Sequence, residues 1–120
     1  MKITPTGLRL TSHGSPTGLS AVLLAFLAVP LAAQEADPEA GRTIFTKAAQ
    51  PQCALCHVLA DADAEGKVGP NLDELQPSVD QVRAAVTSGV GVMPAFEGTL
   101  SEEEIETVST YVAEVAGSGG

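Results

Sequence analysis

Tryptophan is absent, tyrosine occurs once and phenylalanine three times. A core filled mainly by large rings is therefore excluded. Cations are scarce as well: six Lys and Arg stand against fifteen Asp and Glu. Such a surface is repelled by phosphate backbones and anionic membranes, which excludes a nucleic-acid binder. Strand-length runs that alternate Val, Ile or Thr with polar residues are missing, and no segment repeats. Only two cysteines, two histidines and two methionines are available for metal or redox chemistry.

What is present divides the chain in two. Lys2 and Arg9 are scattered through a polar, Gly/Pro/Ser/Thr-rich start, and an apolar run follows from Leu19 to Ala33. A positive start, a short apolar stretch and a small-residue end form the pattern of a secretory signal peptide. Pro30 breaks the helix near its end. The run falls short of the roughly 20 apolar residues that a membrane-spanning helix needs. Residues 1–33 are thus expected to be removed after Ala33, leaving a domain of residues 34–120 in the periplasm with no stable membrane insertion. Cleavage takes Lys2 and Arg9 away. Lys47, Lys67, Arg42 and Arg83 then face all fifteen carboxylates, a formal charge of −11. The natural partners of such a domain are proteins with a basic docking face.

Helix signals dominate residues 34–120. Asp37-Pro38 is a start signal, with Asp37 as N-cap and Pro38 at the first helical position. Ala40, Ile44 and Phe45 share a face, and Gln50-Pro51 ends the helix. Ser78 and Gln81 have the spacing of a capping box; Val79, Val82, Ala85 and Val86 form a stripe, and Gly89 is a stop. Ser101 and Glu104 form a second capping box, with Leu100 and Ile105 as a hydrophobic staple. Ile105, Val108, Tyr111, Val112 and Val115 then make one apolar face. The stretches Asp61–Leu75 and Gly89–Thr99 are rich in Gly and Pro and predict loops with little regular structure. Long loops in so small a domain wrap something or perform a function. The architecture expected is all-α.

Both cysteines and the one histidine of the mature chain lie together in Cys53-Ala54-Leu55-Cys56-His57. A thioredoxin-like dithiol needs a βαβ setting, and no strand pattern precedes Cys53. Structural zinc needs four ligands, and the fourth would have to be a carboxylate. A disulfide over so short a span closes a tiny loop and contributes little. Cys-x-x-Cys-His is the c-type haem attachment motif: two thioethers to the vinyl groups and an imidazole aimed at the iron. The expected cofactor is one covalent haem c, with His57 as an iron ligand. Met93 is the only methionine left after cleavage. It sits between a helix stop and Pro94, a placement suited to a sixth ligand on a fixed strap.

Gly41, Phe45, the Cys53–His57 motif, Gly69-Pro70-Asn71-Leu72, Met93-Pro94-Ala95-Phe96 and Tyr111 occur in the order that marks class I cytochromes c. The chain after residue 33 resembles a small bacterial member of that family over nearly its whole length. The resemblance implies a cytochrome c fold, three to five short helices wrapped around one haem. It implies that the Pro70 carbonyl accepts the Nδ1–H of His57, and that Gly41 and Tyr111 mark the crossing of the terminal helices. The ring of lysines that larger members carry around the haem edge is not matched. The Cys53–His57, Gly69–Leu75 and Gly91–Phe96 segments resemble the small cytochromes that accept electrons from bacterial sulfite dehydrogenases.

The function expected is periplasmic electron transfer between redox protein partners, with no catalytic residues. A tightly bound haem subunit of a larger oxidoreductase such as a sulfite dehydrogenase is the alternative. An enzymatic haem site would need an open sixth position and a distal acid or base, which Met93 and the absence of a second histidine after residue 33 deny. The apolar shell expected around the haem is Leu55, Leu59, Leu72, Leu75, Val82, Val86, Val92 and Leu100. For docking, the Asp61, Asp63, Glu65 cluster is preferred to Glu102–Glu104.

Overall fold

Helix α1 opens where Asp37 Oδ1 accepts the Glu39 N–H at 3.0 Å, with Pro38 in the first turn. In the computed structural model, which describes residues 37–119 and, apart from them, Gly14, this helix covers Pro38–Thr43. It then widens into a single π-helical turn, Ile44–Ala48, closed by Ala49 N–H donating to the Ile44 carbonyl at 3.1 Å. The wider turn directs Phe45 and Ala49 fully into the core. The expected leader, residues 1–33, lies outside the described residues.

Two longer helices complete the frame. Helix α3 spans Val79–Ser88 and helix α4 spans Glu102–Val115; a short helix α2, Leu72–Leu75, precedes them. Both capping boxes form in full. Ser78 and Ser101 accept from the Gln81 and Glu104 amides, and the Gln81 and Glu104 side chains accept from the Ser78 and Ser101 amides. Three glutamates in the first turn of α4 meet the positive end of its dipole.

The core lies where α1 and α3 pack on α4. Ile105, Val108, Tyr111 and Val112 on α4 meet Ile44, Phe45, Leu59, Val86, Phe96 and Leu100. Burial of each such side chain contributes about 1.5–3 kcal/mol. The Phe45 and Tyr111 rings meet edge to face with centroids 6.4 Å apart, an arrangement their quadrupoles favour. Gly41 permits the close crossing of α1 and α4: a Cβ there would lie 2.3 Å from Tyr111 Cβ and 3.2 Å from the Thr107 carbonyl oxygen. Ser109 is fully buried, and its hydroxyl donates to the Ile105 carbonyl one turn back at 2.6 Å. On the outside, Arg83 of α3 grips Glu106 of α4 through two contacts, at 2.6 and 2.8 Å.

The stretch Asp61–Leu75 corrects the expectation of loops with little regular structure. Strands β1, Val58–Leu59, and β2, Ala64–Glu65, pair antiparallel, with Val58 opposite Glu65 and Leu59 opposite Ala64. A 3-10 turn, Ala60–Ala62, and a left-handed Asp63 join them. Helix α2 exists because Asn71 Oδ1 accepts from the Asp73 and Glu74 amides. Two-residue strands and a four-residue helix are too short to leave a period in the sequence.

Candidate cofactor site

The motif residues sit on a 3-10 turn, Cys53–Leu55, in which Cys56 and His57 both donate their amides to the Cys53 carbonyl at 3.0 Å. The two thiols are not joined to each other. Burial pushes the Cys53 thiol up to about 11, so the bare chain holds it protonated at neutral pH. That is the opposite of a reactive redox thiolate. Among the described residues no three His, Cys, Asp or Glu side chains gather as a metal-binding cluster.

The segment Gly66–Pro70 closes over the motif. Gly66 donates to the His57 carbonyl at 3.2 Å, and Val68 and Gly69 donate to the Cys56 carbonyl at 3.1 and 2.7 Å. Neither glycine can carry a side chain here. A Cβ on Gly66 would lie 2.5 Å from the Cys56 carbonyl carbon, and one on Gly69 would lie 2.5 Å from His57 Cε1. His57 Nδ1 lies 2.8 Å from the Pro70 carbonyl oxygen. A carbonyl only accepts, so Nδ1 carries a proton, and Nε2 is the ring nitrogen left to bind a metal. The imidazole is thus fixed in both tautomer and orientation, as a metal-binding histidine requires. Gly69 escaped emphasis as more than part of a motif, and Gly66 escaped altogether. Only the backbone approach shows why each must be glycine.

Met93 comes from a different part of the chain. Val90 and Met93 exchange backbone hydrogen bonds at 3.1 and 2.9 Å around a tight turn, with Gly91 at φ +58°. Gly89, at φ +72°, lies so close that a Cβ would sit 2.7 Å from the Met93 carbonyl oxygen. Beyond Pro94, buried Phe96 donates its amide to the Val86 carbonyl at 2.8 Å. The strap is pinned at both ends of the methionine. Cys53, Ala54 and Met93 all pack, partly buried, against the same hydrophobic core.

The residues expected in the apolar shell fall into two groups, those buried in the polypeptide core and those left exposed by it. Leu59, Leu72, Val86 and Leu100 are buried and Val82 is half-buried. Leu55 and Val92 are instead 63% and 86% exposed, and Leu75 is also exposed. Each of these three occupies a surface turn or helix end, so its apolar character is not spent on the polypeptide core. Val68 and Val90 are also exposed, so exposed apolar side chains occur on the motif turn, the Gly66–Pro70 segment, α2 and the methionine strap. Two unjoined thiols, an imidazole oriented through Nδ1, a thioether and these exposed apolar side chains match the needs of an apolar iron macrocycle. An open groove of about 550 Å³, lined by Asp37, Glu39, Ile44, Glu103 and Glu104 among others, contains none of these residues.

Comparison with known proteins agrees with that chemistry. Residues 36–112 match the family described as cytochrome c oxidase, cbb3-type, subunit III. Cytochrome c6 of Leptolyngbya boryana is 34% identical over 88 residues, which cover 70% of this chain and 99% of that protein. Cytochrome c2 of Cereibacter sphaeroides is 45% identical over 58 residues, 43% of this chain and 37% of its own. The crystal structure of the c-type cytochrome SorU from Sinorhizobium meliloti superposes with a TM-score of 0.65 and 59% identity, over 67% of this chain and 91% of that one.

Proposed function

Because the chain belongs to the class I monohaem cytochromes c and is an electron carrier with one covalent haem c rather than an enzyme, we propose that Cys53 and Cys56 anchor the haem and that His57 and Met93 ligate its iron. We further propose that it works in the periplasm, after removal of residues 1–33. The observation that carries the ligand assignment is the 2.8 Å contact between His57 Nδ1 and the Pro70 carbonyl, which leaves Nε2 as the ring's only free donor.

When bound, the haem supplies a one-electron couple between ferrous and ferric iron. The chain's own residues hold that couple in one geometry. Thioether bonds at Cys53 and Cys56 prevent loss of the macrocycle. Pro70 and Gly69 stop the imidazole from rotating. The pinned Val90–Met93 turn fixes the backbone that carries Met93, so the same two ligands would serve both oxidation states and little would reorganise on transfer. A soft thioether ligand favours the ferrous state and raises the potential. Leu59, Leu72 and Val86 act in the same direction, because an apolar surrounding disfavours added charge.

The donor proposed is a sulfite dehydrogenase presenting a basic docking face. Two observations support it: the resemblance of the Cys53–His57, Gly69–Leu75 and Gly91–Phe96 segments, and the formal charge of −11 after residue 33. The match to a family described as an oxidase subunit favours a second reading, a haem subunit held within a larger oxidoreductase. The two are separated by the size of the haem-bearing species in a native extract. A free carrier elutes at the mass of residues 34–120 plus one haem. Co-elution with a large flavin- or metal-containing partner, stable to salt, establishes the subunit instead.

A further inference from the structure

We propose that Asp73 positions the His57 imidazole, and that the carboxyl-terminal segment holds Asp73 in place to do so. The proposal rests on His57 being the iron ligand. Asp73 lies in α2, three residues beyond Pro70. Its Oδ2 accepts the Ala60 N–H at 2.8 Å, and its Oδ1 accepts the Gly117 N–H at 3.0 Å. Ala60 stands three residues beyond His57. One carboxylate therefore ties the strand leaving His57 to the helix leaving Pro70, and these are the two ends of the His57–Pro70 hydrogen bond.

Helix α2 has four residues and cannot hold its place by its own backbone bonds. Leu72 anchors it in the core, and its side-chain hydrogen bonds are the Asn71 cap and Asp73. Hydrogen bonds from backbone amides to a carboxylate are short and charge-assisted, so Asp73 is the stronger tie. Its rotamer is set from two sides, because each oxygen has its own donor. The second donor comes from 44 residues away: after α4 the chain turns at Gly117, φ +79°, where a Cβ would collide with the Gln76 side chain. The end of the chain thus braces the pair that sets the imidazole's donor strength. A slacker Nδ1–H···O=C bond makes the ring a weaker donor, which favours ferrous iron.

The experiment compares Asp73→Asn and Asp73→Ala in the haem-loaded protein by NMR amide exchange and redox titration. Both remove the same charge, but only asparagine can still accept from Ala60. The expected result is exchange of the Ala60 amide and of the His57 Nδ1 proton at least about tenfold faster in the alanine variant than in the asparagine variant. The potential of the alanine variant is expected to be the higher of the two. Equal exchange and equal potential in the two variants would mean that Asp73 acts through charge alone, and the proposal fails. Deleting residues 117–120 leaves Asp73 intact and keeps the test open if the alanine variant does not fold. Faster His57 exchange in that truncation supports the brace, and unchanged exchange overturns it. Failure of the underlying ligation is distinguishable, since the wild type would then lack haem-shifted His57 resonances.

Discussion

Tyr111 hydroxyl donates to Asp61 Oδ2 at 2.6 Å, from a ring fully buried between α1 and α4. Burial and then the Asp61 carboxylate push its ionisation above the usual phenol value. A raised folded value favours the protonated form, so this stabilisation is complete below the unfolded value of about 10 and is lost as pH rises through the folded one. Tyr111→Phe should lower stability by about 1–2 kcal/mol at neutral pH. The gap to wild type should narrow above pH of about 10, as followed by denaturant unfolding at several pH values. A gap that does not change with pH would assign the loss to packing instead. Gly41 makes the stricter test of the same crossing. Gly41→Ala places a methyl group 2.3 Å from Tyr111 Cβ, and overpacking of that kind should cost at least about 2 kcal/mol in the same measurement. The Asp61, Asp63, Glu65 cluster, preferred for docking from the sequence, is altered by these contacts. Tyr111 engages Asp61, and Arg42 pairs with Asp63 at 2.6 Å. Those partners lie 50 and 21 residues away, a separation that no local pattern reveals.

Between elements, α3 and α4 are joined outside the core by Arg83 with Glu106, and Asp80 shares the guanidinium. Arg83 holds the Glu106 carboxyl below its usual range. A depressed folded value means stability that is present above the unfolded carboxylate value and lost as pH falls through the folded one. Arg83→Gln should therefore move acid unfolding to higher pH by a small amount. The shift should shrink in high salt because the pair is exposed. Coincident acid transitions at low salt would show that the contact is neutral. The helices that carry their own start signals were legible in the sequence: Asp37-Pro38, Ser78 with Gln81, and Ser101 with Glu104 all cap where expected. The hairpin at Val58–Glu65, the π-helical turn after Thr43 and α2 were not, because none is long enough to repeat its pattern. The site was legible in its chemistry and not in its support. Cys53, Cys56, His57, Pro70 and Met93 stand out by residue type and motif, whereas Gly66 and Asp73 matter through backbone approach and hydrogen bonds that only folding creates. Leu55, Leu75 and Val92 were recognised as apolar, but the sequence could not say that they face outward.

For the whole molecule, with residues 1–33 removed as proposed, the formal charge of −11 predicts electrostatic steering toward a basic partner. Exposed charges act over about 8 Å at physiological salt, and charges at a docking rim change mainly the on-rate. The second-order rate of reduction by the true donor should fall steeply as salt rises in stopped-flow experiments. A rate that stays flat across the series would mean apolar docking, with the acidity serving solubility only. The central claim is that the chain clamps one haem iron between His57 and Met93, and the absorption spectrum of the oxidised protein tests it most directly. Wild type should show the weak near-infrared band of a thioether bound to ferric haem. Met93→Ala should abolish that band and lower the potential, since the soft ligand's preference for ferrous iron is lost. A variant with the wild-type band and potential would show that Met93 only packs against the core, and would contradict the account.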